Sequence, residues 1–414
     1  MIGLAAVTLL TLLGSTGSIG TSTLDVVRRS SDRFGIHALV AGRNIELLAD
    51  QVAEFSPKFV VVADSRALDE LACLLKAKGK KVPDLASGAQ AKVAAATAAE
   101  SGFVMSAIVG VEGLEATYEA VRLGKRIGLA NKEVLVAAGK LVTDAMRESG
   151  AELIPVDSEH NGAHQCLRCG RRQEAARLFL TASGGPFREA SSADLARVTP
   201  EQALHHPTWK MGRRITVDSA TLMNKGFEII EACWLFDFDP KDVHVVVHPQ
   251  SKVHAMVEFT DGSVMAQISA TDMRMPIQYA LTYPERAEAP VPRLDWCNAG
   301  QWTFHPPDMN KFPALKLAYA AQEAGGGATA ILNAADEIAV EAFLERRIPF
   351  TGIAETVSET LDRVFPASPG GGPRSIQDVL EIDRASRLAA REVIVSRWGS
   401  GVGARQSSEA AAKA

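Results

Sequence analysis

The first 157 residues alternate between short apolar runs and longer amphipathic stretches. The apolar runs predict strands over 7–13, 36–41, 59–63, 103–109, 126–130 and 152–156, and the clearest helical patterns between them are 114–123 and 132–148. Strands that alternate with helices of this length indicate βαβ units and a parallel sheet. Because each run is apolar throughout, helices are expected on both faces of the sheet. Residues 1–157 are therefore predicted to form a doubly wound α/β domain.

From residue 158 the pattern changes to polar, motif-rich loops and alternating apolar segments. Segments 243–249, 252–259 and 263–269 are predicted as strands, and the Asp261-Gly262 pair predicts a hairpin between the last two. We therefore expect an α+β middle domain over 158–290. Closely spaced prolines favour a linker over 291–312. Periodic apolar positions at 315–324, 328–345 and 384–398 predict an all-helical C-terminal domain over 313–400, followed by a disordered tail over 401–414.

Composition and charge exclude several classes of partner. The net charge of -5 provides no basic field, so neither nucleic acid nor an anionic membrane surface is expected as a partner. The five cysteines are odd in number and scattered, which favours a reducing, cytosolic compartment. The apolar opening lacks the basic residues of a signal peptide and is too short to span a bilayer, so it is predicted as part of a buried strand.

Three glycines, Gly14, Gly17 and Gly20, follow the first strand and open the first helix. Glycine at such a turn lets the backbone approach a pyrophosphate, whose charge is stabilised by the helix N-terminus. Thr16 and Ser18 add hydroxyl groups for phosphate oxygens. The turn therefore predicts a dinucleotide site. Because the G-x-x-G-x-x-G spacing is weak by itself, a glycine-rich turn without a nucleotide is the alternative.

The end of the second strand carries Gly42, Arg43 and Asn44. An NAD site has an acidic residue at this point for the ribose hydroxyls, whereas an arginine pairs with the 2′-phosphate of NADP. We therefore predict NADP rather than NAD. A solvated surface arginine is the alternative.

Carboxylates follow the last strand of the first domain, at Asp157 and Glu159, with Ser158 between them. Open α/β sheets bind ligands at the carboxyl ends of their strands. Two carboxylates so close along the chain can converge on a hard cation such as Mg²⁺ or Mn²⁺, and Glu228 is the candidate third ligand. A helix cap or a surface charge pair is the alternative.

A second group of polar residues suits a single phosphate group. The SGG turn at 183–185 ends another predicted strand, and Ser219, Asn224 and Lys225 precede a helical run. Hydroxyl, amide and ammonium groups at such positions bind phosphate oxygens. A plain turn and a helix N-cap are the alternatives.

The loop at 205–213 combines histidine, tryptophan and glycine between helical patterns, which favours a lid that excludes water from a bound ligand. An exposed loop with a packed tryptophan is the alternative. Lys132 follows a strand end near the expected nicotinamide crevice, a place where a surface lysine is also common. No second CxxC pair and no suitably spaced histidine pair accompanies Cys166 and Cys169, so no metal or redox role is expected for these two cysteines.

The motifs LGSTGSIG, AGRN, LANKE, VDSEHN, SGGPF, HPTWKMG, SATLMNKGFE, HPQS and LNAADE follow one another in this order. As a set they resemble the 1-deoxy-D-xylulose 5-phosphate reductoisomerase family, from about residue 13 to beyond residue 390. The resemblance implies a Rossmann-like N-terminal domain, an α+β catalytic and dimerisation domain and a helical C-terminal domain. It further implies a homodimer in the bacterial cytoplasm that rearranges and reduces 1-deoxy-D-xylulose 5-phosphate to 2-C-methyl-D-erythritol 4-phosphate for isoprenoid synthesis. NADPH and a divalent metal (Mn²⁺, Mg²⁺ or Co²⁺) are the implied cofactors.

The resemblance also implies roles for single residues. Those implied to hold the metal are Asp157, Glu159 and Glu228, which together with Lys132 and His206 form the implied catalytic set. Those implied to contact the substrate are Lys132, Ser158, Glu159, Ser183, His206, Trp209, Met211, Ser219, Asn224, Lys225 and Glu228. Those implied to contact NADPH are Thr16, Gly17, Ser18, Ile19, Gly42, Arg43, Asn44, Asn131, Glu133 and Gly212.

Three positions depart from the family pattern, and none of them is an implied metal ligand or phosphate contact. Gly162 and His164 stand where bulkier apolar residues are usual, so the packing behind the metal site is expected to differ. Arg43 replaces a frequent lysine and keeps its charge. The alternatives are an NADP-dependent oxidoreductase acting on another sugar phosphate and a non-catalytic NADP-sensing module. The complete SGGPF to NKGFE set argues against the first, and the retained carboxylates and lysines argue against the second.

Overall fold

The computed structural model describes residues 7–209, 211–367 and 372–399. Its strands are β1 Thr8–Leu13, β2 Phe34–Val40, β3 Phe59–Val62, β4 Asp84–Ser87, β5 Phe103–Ser106, β6 Arg126–Leu129, β7 Glu152–Pro155, β8 Ala175–Ala182, β9 Val243–Val247, β10 Val253–Phe259 and β11 Val264–Ile268. Residues 1–6 of the apolar opening, Lys210 in the predicted lid and the predicted tail over 401–414 lie outside the described residues.

The α-helices follow the same chain order. They are α1 Ser18–Arg29, α2 Ile45–Phe55, α3 Ser65–Ala77, α4 Ala89–Thr97, α5 Leu114–Arg122, α6 Glu133–Ser149, α7 Ser158–Leu167, α8 Ser192–Leu195, α9 Pro200–Ala203, α10 Arg213–Thr221, α11 Met223–Phe236, α12 Arg274–Thr282, α13 Ala314–Ala324, α14 Ala328–Leu344, α15 Gly352–Val364 and α16 Ile376–Trp398. No described helix contains an apolar stretch that could cross a bilayer.

Contacts group the described residues into two compact units. The first unit holds 7–134, 140–164 and 272–299, and the second holds 135–139, 165–209, 211–271, 300–367 and 372–399. These units cut the chain differently from the predicted boundaries, because Ile277 and Leu281 of α12 are buried in the same core as β1 and β2. The division into domains over 1–157, 158–290, 291–312 and 313–400 stays a prediction.

The first unit contains a seven-stranded sheet in the order β4-β3-β2-β1-β5-β6-β7. Every neighbouring pair in it is parallel, which confirms the predicted Rossmann-like sheet. The strand order reverses between β1 and β5, so the crevice that binds ligands in such sheets opens at their carboxyl ends. The sequence does not predict β4, because this short edge strand reads DLAS, is partly exposed and lacks an apolar run.

The second unit contains a four-stranded sheet in the order β11-β10-β8-β9. The β8 and β9 strands are parallel, whereas β10 is antiparallel to both of its neighbours. The predicted hairpin joins β10 to β11, with Gly262 at a φ of +83°. Segment 135–139 of α6 groups with this unit, since Gly139 lies against the ring of Trp234 and a Cβ there would be 2.3 Å from its Cδ1.

Helices α10, α11 and α13 to α16 supply the main apolar core of the second unit, which includes Phe227, Leu332 and Phe343. The predicted C-terminal helices are confirmed, although α16 begins at Ile376, earlier than the sequence predicts, with Ser375 as its N-cap. The sequence does not predict α15. It also predicts that the SATLMNKGFE residues precede a helix, which is wrong, because α10 and α11 already contain most of them.

Candidate functional site

In the glycine turn after β1, a side chain would clash with the backbone at Gly14 and at Gly20 but would fit at Gly17. Gly14 has a φ of +93°, and a Cβ there would lie 2.5 Å from the carbonyl oxygen of Ala107. A Cβ on Gly20 would lie 2.3 Å from the carbonyl oxygen of Gly14, whereas one on Gly17 would have its nearest neighbour at 3.4 Å. Gly17 is also the N-cap of α1 and brings no side chain to the first turn. The fold therefore requires two of the glycines, and the third leaves a helix N-terminus open to an anion.

The other residues predicted for NADPH at the first two strand ends are accessible. Gly17, Ser18, Gly42, Arg43 and Asn44 are exposed, and Thr16 and Ile19 are partly exposed. The Asn44 side chain accepts a hydrogen bond from the backbone N–H of Leu47 at 3.2 Å, so this residue caps α2. Arg43 therefore stands immediately before a helix N-cap and is exposed, and its predicted contact with NADPH stays a prediction.

Asn131, Lys132 and Glu133 follow β6 and are all buried. The Asn131 amide donates a hydrogen bond to the carbonyl oxygen of Gly110 at 3.0 Å and another to that of Ile108. Asn131 thus anchors the loop after β5, beside the point where the strand order reverses. Its role in the fold is clear, and its predicted contact with NADPH stays a prediction.

Asp157 lies between the end of β7 and the start of α7, where it meets a lysine from the neighbouring strand end. Its Oδ2 atom is 2.9 Å from Nζ of Lys132, and its Oδ1 atom accepts a hydrogen bond from the backbone N–H of Glu159 at 3.2 Å. The hydroxyl of Ser158 donates to Oε2 of Glu159 at 2.6 Å. The helix cap, which the sequence offers as the alternative to a metal site, is therefore present, and Asp157 is partly exposed beside the Lys132 ammonium group. The ammonium group of Lys132 therefore lies against the Asp157 carboxyl group, whose oxygens are the type of ligand that a hard cation prefers.

His160 is a neighbour of Asp157 that the sequence does not single out. Its ring is fully buried, and Nδ1 lies 3.8 Å from Oδ1 of Asp157. Its helical spacing from Asp157 within VDSEHN is the signal that could identify it. At the departure position His164, Nδ1 is 2.8 Å from the hydroxyl of Tyr279, so a polar contact occupies the place where an apolar side chain is usual.

In the second unit, Glu228 is buried on α11, one turn after Asn224 and Lys225. The Asn224 amide donates to Oε1 of Glu228 at 2.6 Å, and the Lys225 ammonium contacts Oε2. Helical spacing of three and four residues brings these side chains together. The Glu228 carboxylate is therefore held in one orientation by the Lys225 ammonium group and the Asn224 amide on the same helix.

His206 joins the two serines of the predicted phosphate group. Its Nδ1 atom accepts hydrogen bonds from the backbone N–H groups of Thr208 at 3.1 Å and Trp209 at 2.9 Å, which places its proton on Nε2. Nε2 lies 3.1 Å from the hydroxyl oxygens of both Ser183 and Ser219. Burial lowers the pKa of His206, so the neutral ring is favoured. The result is a cluster of hydroxyl and N–H donors at the end of β8.

Glycines make room for this cluster. Gly184 and Gly185 have φ values of +83° and +66°, and a Cβ on Gly185 would lie 2.8 Å from the carbonyl oxygen of Ser219. The turn after β8 can therefore approach α10 only with glycine at this position. The backbone N–H of Gly185 also donates to the Ser183 hydroxyl at 3.2 Å.

The predicted lid is non-helical over 205–209 and 211–212, and Gly212 is the N-cap of α10. Trp209 and Met211 are partly buried, and Gly212 is exposed. The backbone N–H of Trp209 donates to Nδ1 of His206 at 2.9 Å. The lid interpretation stays a prediction.

Family models match the chain in sequence order. One described as 1-deoxy-D-xylulose 5-phosphate reductoisomerase matches residues 10–139. Two for C-terminal domains of the same enzyme match residues 153–236 and 268–389. Among similar proteins, a 1-deoxy-D-xylulose 5-phosphate reductoisomerase of Solibacter usitatus is 66% identical over 385 residues, covering 92% of this chain and 96% of the relative. One of Chlorobium phaeobacteroides is 49% identical, covering 93% of this chain and 98% of the relative.

Solved structures give the same result. The Zymomonas mobilis 1-deoxy-D-xylulose 5-phosphate reductoisomerase in complex with NADPH is 45% identical, with a TM-score of 0.87 over 94% of this chain and 99% of that chain. A DOX-P reductoisomerase in complex with NADPH, fosmidomycin and magnesium is 38% identical, with a TM-score of 0.89 over 95% of this chain and all of the other.

Proposed function

The chain belongs to the 1-deoxy-D-xylulose 5-phosphate reductoisomerase family, and we propose that it converts 1-deoxy-D-xylulose 5-phosphate into 2-C-methyl-D-erythritol 4-phosphate with NADPH and a divalent metal. The observation that carries the proposal is the 66% identity to the Solibacter usitatus relative over 96% of that relative's length. Every residue to which the resemblance assigns chemistry is present in this chain. The product belongs to isoprenoid precursor synthesis.

The proposed metal ligands are Asp157 and Glu159 of the first unit and Glu228 of the second. Their oxygen donors fit a hard cation such as Mg²⁺ or Mn²⁺. When bound, the cation supplies Lewis-acid stabilisation of negative charge on the substrate's oxygens. Lys132 holds the Asp157 carboxylate through their ion pair, and Asn224 holds that of Glu228 through a hydrogen bond.

Ser183, His206 and Ser219 are proposed to bind the phosphate group of the substrate. The proton on Nε2 of His206 and the two serine hydroxyls are donors, and phosphate oxygens are strong acceptors. Because this group lies away from the carbon atoms that react, its binding energy can orient the substrate and favour closure of the 205–213 loop. Trp209 and Met211 of that loop are then proposed to exclude water.

NADPH is proposed to bind along the carboxyl edge of the parallel sheet. The pyrophosphate is proposed to bind at the N-terminus of α1, where Gly17 brings no side chain, and the exposed Arg43 is proposed to pair with the 2′-phosphate. Asn131 fixes the loop after β5 through the carbonyl oxygen of Gly110. When bound, NADPH supplies the hydride for reduction.

Purified protein with Mg²⁺ or Mn²⁺, NADPH and 1-deoxy-D-xylulose 5-phosphate tests the proposal. We expect NADPH oxidation that requires the sugar phosphate and stops when the metal is chelated. An oxidoreductase on another sugar phosphate would oxidise NADPH only with that other substrate. An NADP-sensing module would bind NADPH and oxidise none with any sugar phosphate. Either result would contradict the proposal.

We further propose a homodimer that works in the bacterial cytoplasm. The edge strand β11 exposes the apolar side chains of Val264 and Met265, which suits pairing with a second copy of the sheet. The bacterial origin of the relatives and the five free cysteines support a reducing bacterial compartment. Light scattering of the purified protein tests the dimer, and a monomer at micromolar concentration would contradict it.

A further inference from the structure

A buried acidic pair lies behind the proposed phosphate cluster, within the second unit. Asp218 precedes Ser219 on α10, and its side chain is almost completely buried. Asp336 belongs to the LNAADE motif on α14, to which the proposed function assigns no role, and its side chain is fully buried. Both carboxyl groups lie beside the same guanidinium group, because Arg214 is 3.6 Å from Oδ2 of Asp218 and 3.8 Å from Oδ2 of Asp336.

The carboxyl group of Asp336 accepts no hydrogen bond from the described residues. Within the part of the chain that the structure describes, neither of its buried carboxyl oxygens has a hydrogen-bond partner, and Asp218 is its neighbouring carboxyl group. Two neighbouring carboxyl groups that are both buried strongly disfavour ionisation of the pair at the same time. A proton between them resolves the conflict, because one carboxyl group then donates to the other.

The surrounding charges favour retention of that proton. Asp336 faces Asp218 and Arg214 from α10 and Glu337 from its own helix. Arg214 lies 3.8 Å from Oδ2 of Asp336 and 3.6 Å from Oδ2 of Asp218, beyond hydrogen-bond distance in both cases. Its Nη1 atom donates to Glu337 at 2.8 Å, and its Nη2 atom donates to Asn333 at 3.0 Å. The two terminal nitrogen atoms of this guanidinium group therefore donate to residues outside the pair.

Helix α16 adds charges that balance one another. Arg387 contacts Glu337 at 2.6 Å and Asp383 at 2.7 Å. Among the described residues, these contacts join four carboxyl groups to two guanidinium groups, and one further proton reduces their excess negative charge. Burial and the charge of Asp218 raise the pKa of Asp336 well above its ordinary value, in agreement with this geometry.

We propose that Asp218 and Asp336 share one proton, and that the resulting hydrogen bond fastens α10 to α14 and so positions Ser219. The pair are positioning residues, since neither touches the reacting groups. The part of the inference that concerns Ser219 rests on the proposed function, whereas the shared proton does not. Loss of the proton leaves two buried carboxylates that repel, and α10 then separates from α14.

The folded state is expected to become less stable as the pH rises, because it holds one more proton than the unfolded chain. Above the ordinary aspartate pKa of 3.8, the unfolded chain has released this proton and the folded chain still holds it. The stability contribution is therefore fully present below that value and is lost as the pH rises toward the raised pKa. Over this interval the folding equilibrium constant falls by about tenfold per pH unit from this site.

Asp336→Asn is the test variant, because an amide N–H donates to Asp218 and cannot lose its proton. Urea unfolding of the full chain, wild type and variant, is measured across neutral pH. We expect the wild-type equilibrium constant to fall relative to the variant by about tenfold per pH unit. Parallel pH profiles of the two proteins would overturn the shared proton. Asp336→Leu, which leaves Asp218 without a donor from this position, is expected to be less stable than Asp336→Asn.

Steady-state kinetics test the positioning of Ser219. We expect the wild-type KM for 1-deoxy-D-xylulose 5-phosphate to rise severalfold toward alkaline pH with kcat unchanged, and Asp336→Asn to abolish this rise. A KM profile that is the same in both proteins would overturn the positioning role. Absence of wild-type turnover would instead overturn the proposed function and the role of Ser219 with it, while the unfolding profiles still decide the shared proton.

Discussion

A methyl group added at Gly17 or at Gly20 separates the fold of the first glycine turn from its proposed binding of NADPH. At Gly20 the new Cβ would lie 2.3 Å from the carbonyl oxygen of Gly14 and 2.4 Å from that of Ser15. Both atoms are backbone and cannot rotate away. We therefore expect Gly20→Ala to destabilise the protein by about 3 kcal/mol, the upper end of the usual range for overpacking.

At Gly17 the same methyl group meets its nearest atom at 3.4 Å, and the φ of -78° is ordinary for alanine. Alanine is a poorer N-cap than glycine, so the expected loss of stability is at most about 1 kcal/mol. The methyl group would nevertheless occupy the space through which a pyrophosphate approaches the helix N-terminus. We expect the NADPH dissociation constant to rise at least about tenfold, which corresponds to 1.4 kcal/mol.

Thermal unfolding without ligand and titration of NADPH fluorescence measure the two effects separately. Gly17→Ala should melt close to the wild type and bind NADPH weakly, whereas Gly20→Ala should melt at a much lower temperature. Wild-type NADPH affinity in Gly17→Ala would refute the placement of the pyrophosphate at this turn. Wild-type stability in Gly20→Ala would refute the packing argument.

Further predictions concern the 2′-phosphate, the metal and the dimer. Arg43→Ala should weaken NADPH binding by about tenfold or more, because the charge-assisted hydrogen bond to the 2′-phosphate is lost. NADH lacks this phosphate, so its binding should be unchanged, and an equal effect on both cofactors would contradict the role of Arg43. Glu228→Gln should lower turnover by at least about 100-fold while the NADPH affinity is unchanged. Circular dichroism checks that the variant is folded. Unchanged turnover would show that Glu228 is not a metal ligand. Met265→Asp on β11 should yield a monomer by light scattering, and a dimer of wild-type stability would exclude this edge as the interface.

The sequence predicts the parallel sheet well because its strands are buried on both faces. Leu10, Leu12 and Leu13 of β1 are fully buried, and the same continuous apolar signal marks the neighbouring strands. The edge strand β4 has no such signal, since half of its pairing surface is absent and its side chains are partly exposed. Hydrophobic pattern therefore identifies the buried strands, including the edge strand β7, and misses β4, whose side chains are partly exposed.

Site residues are predictable where the chemistry is local in sequence. Asp157 and Glu159 stand together, and the spacing from Asn224 to Glu228 is one helical turn. By contrast, Gly14, Gly17 and Gly20 look alike in sequence, and only the structure separates the two that the backbone packing requires from the open one. The proximity of Asp218 and Asp336 depends on the packing of α10 against α14, which no local pattern reports.

The most direct test of the proposed reaction is carbon NMR of the product formed from 1-deoxy-D-xylulose 5-phosphate by the purified protein with NADPH and Mg²⁺. Rearrangement followed by reduction produces a branched skeleton, that of 2-C-methyl-D-erythritol 4-phosphate, and this is the product we predict. A linear sugar alcohol phosphate would show that the protein reduces the substrate without rearranging it, and would contradict the proposed function.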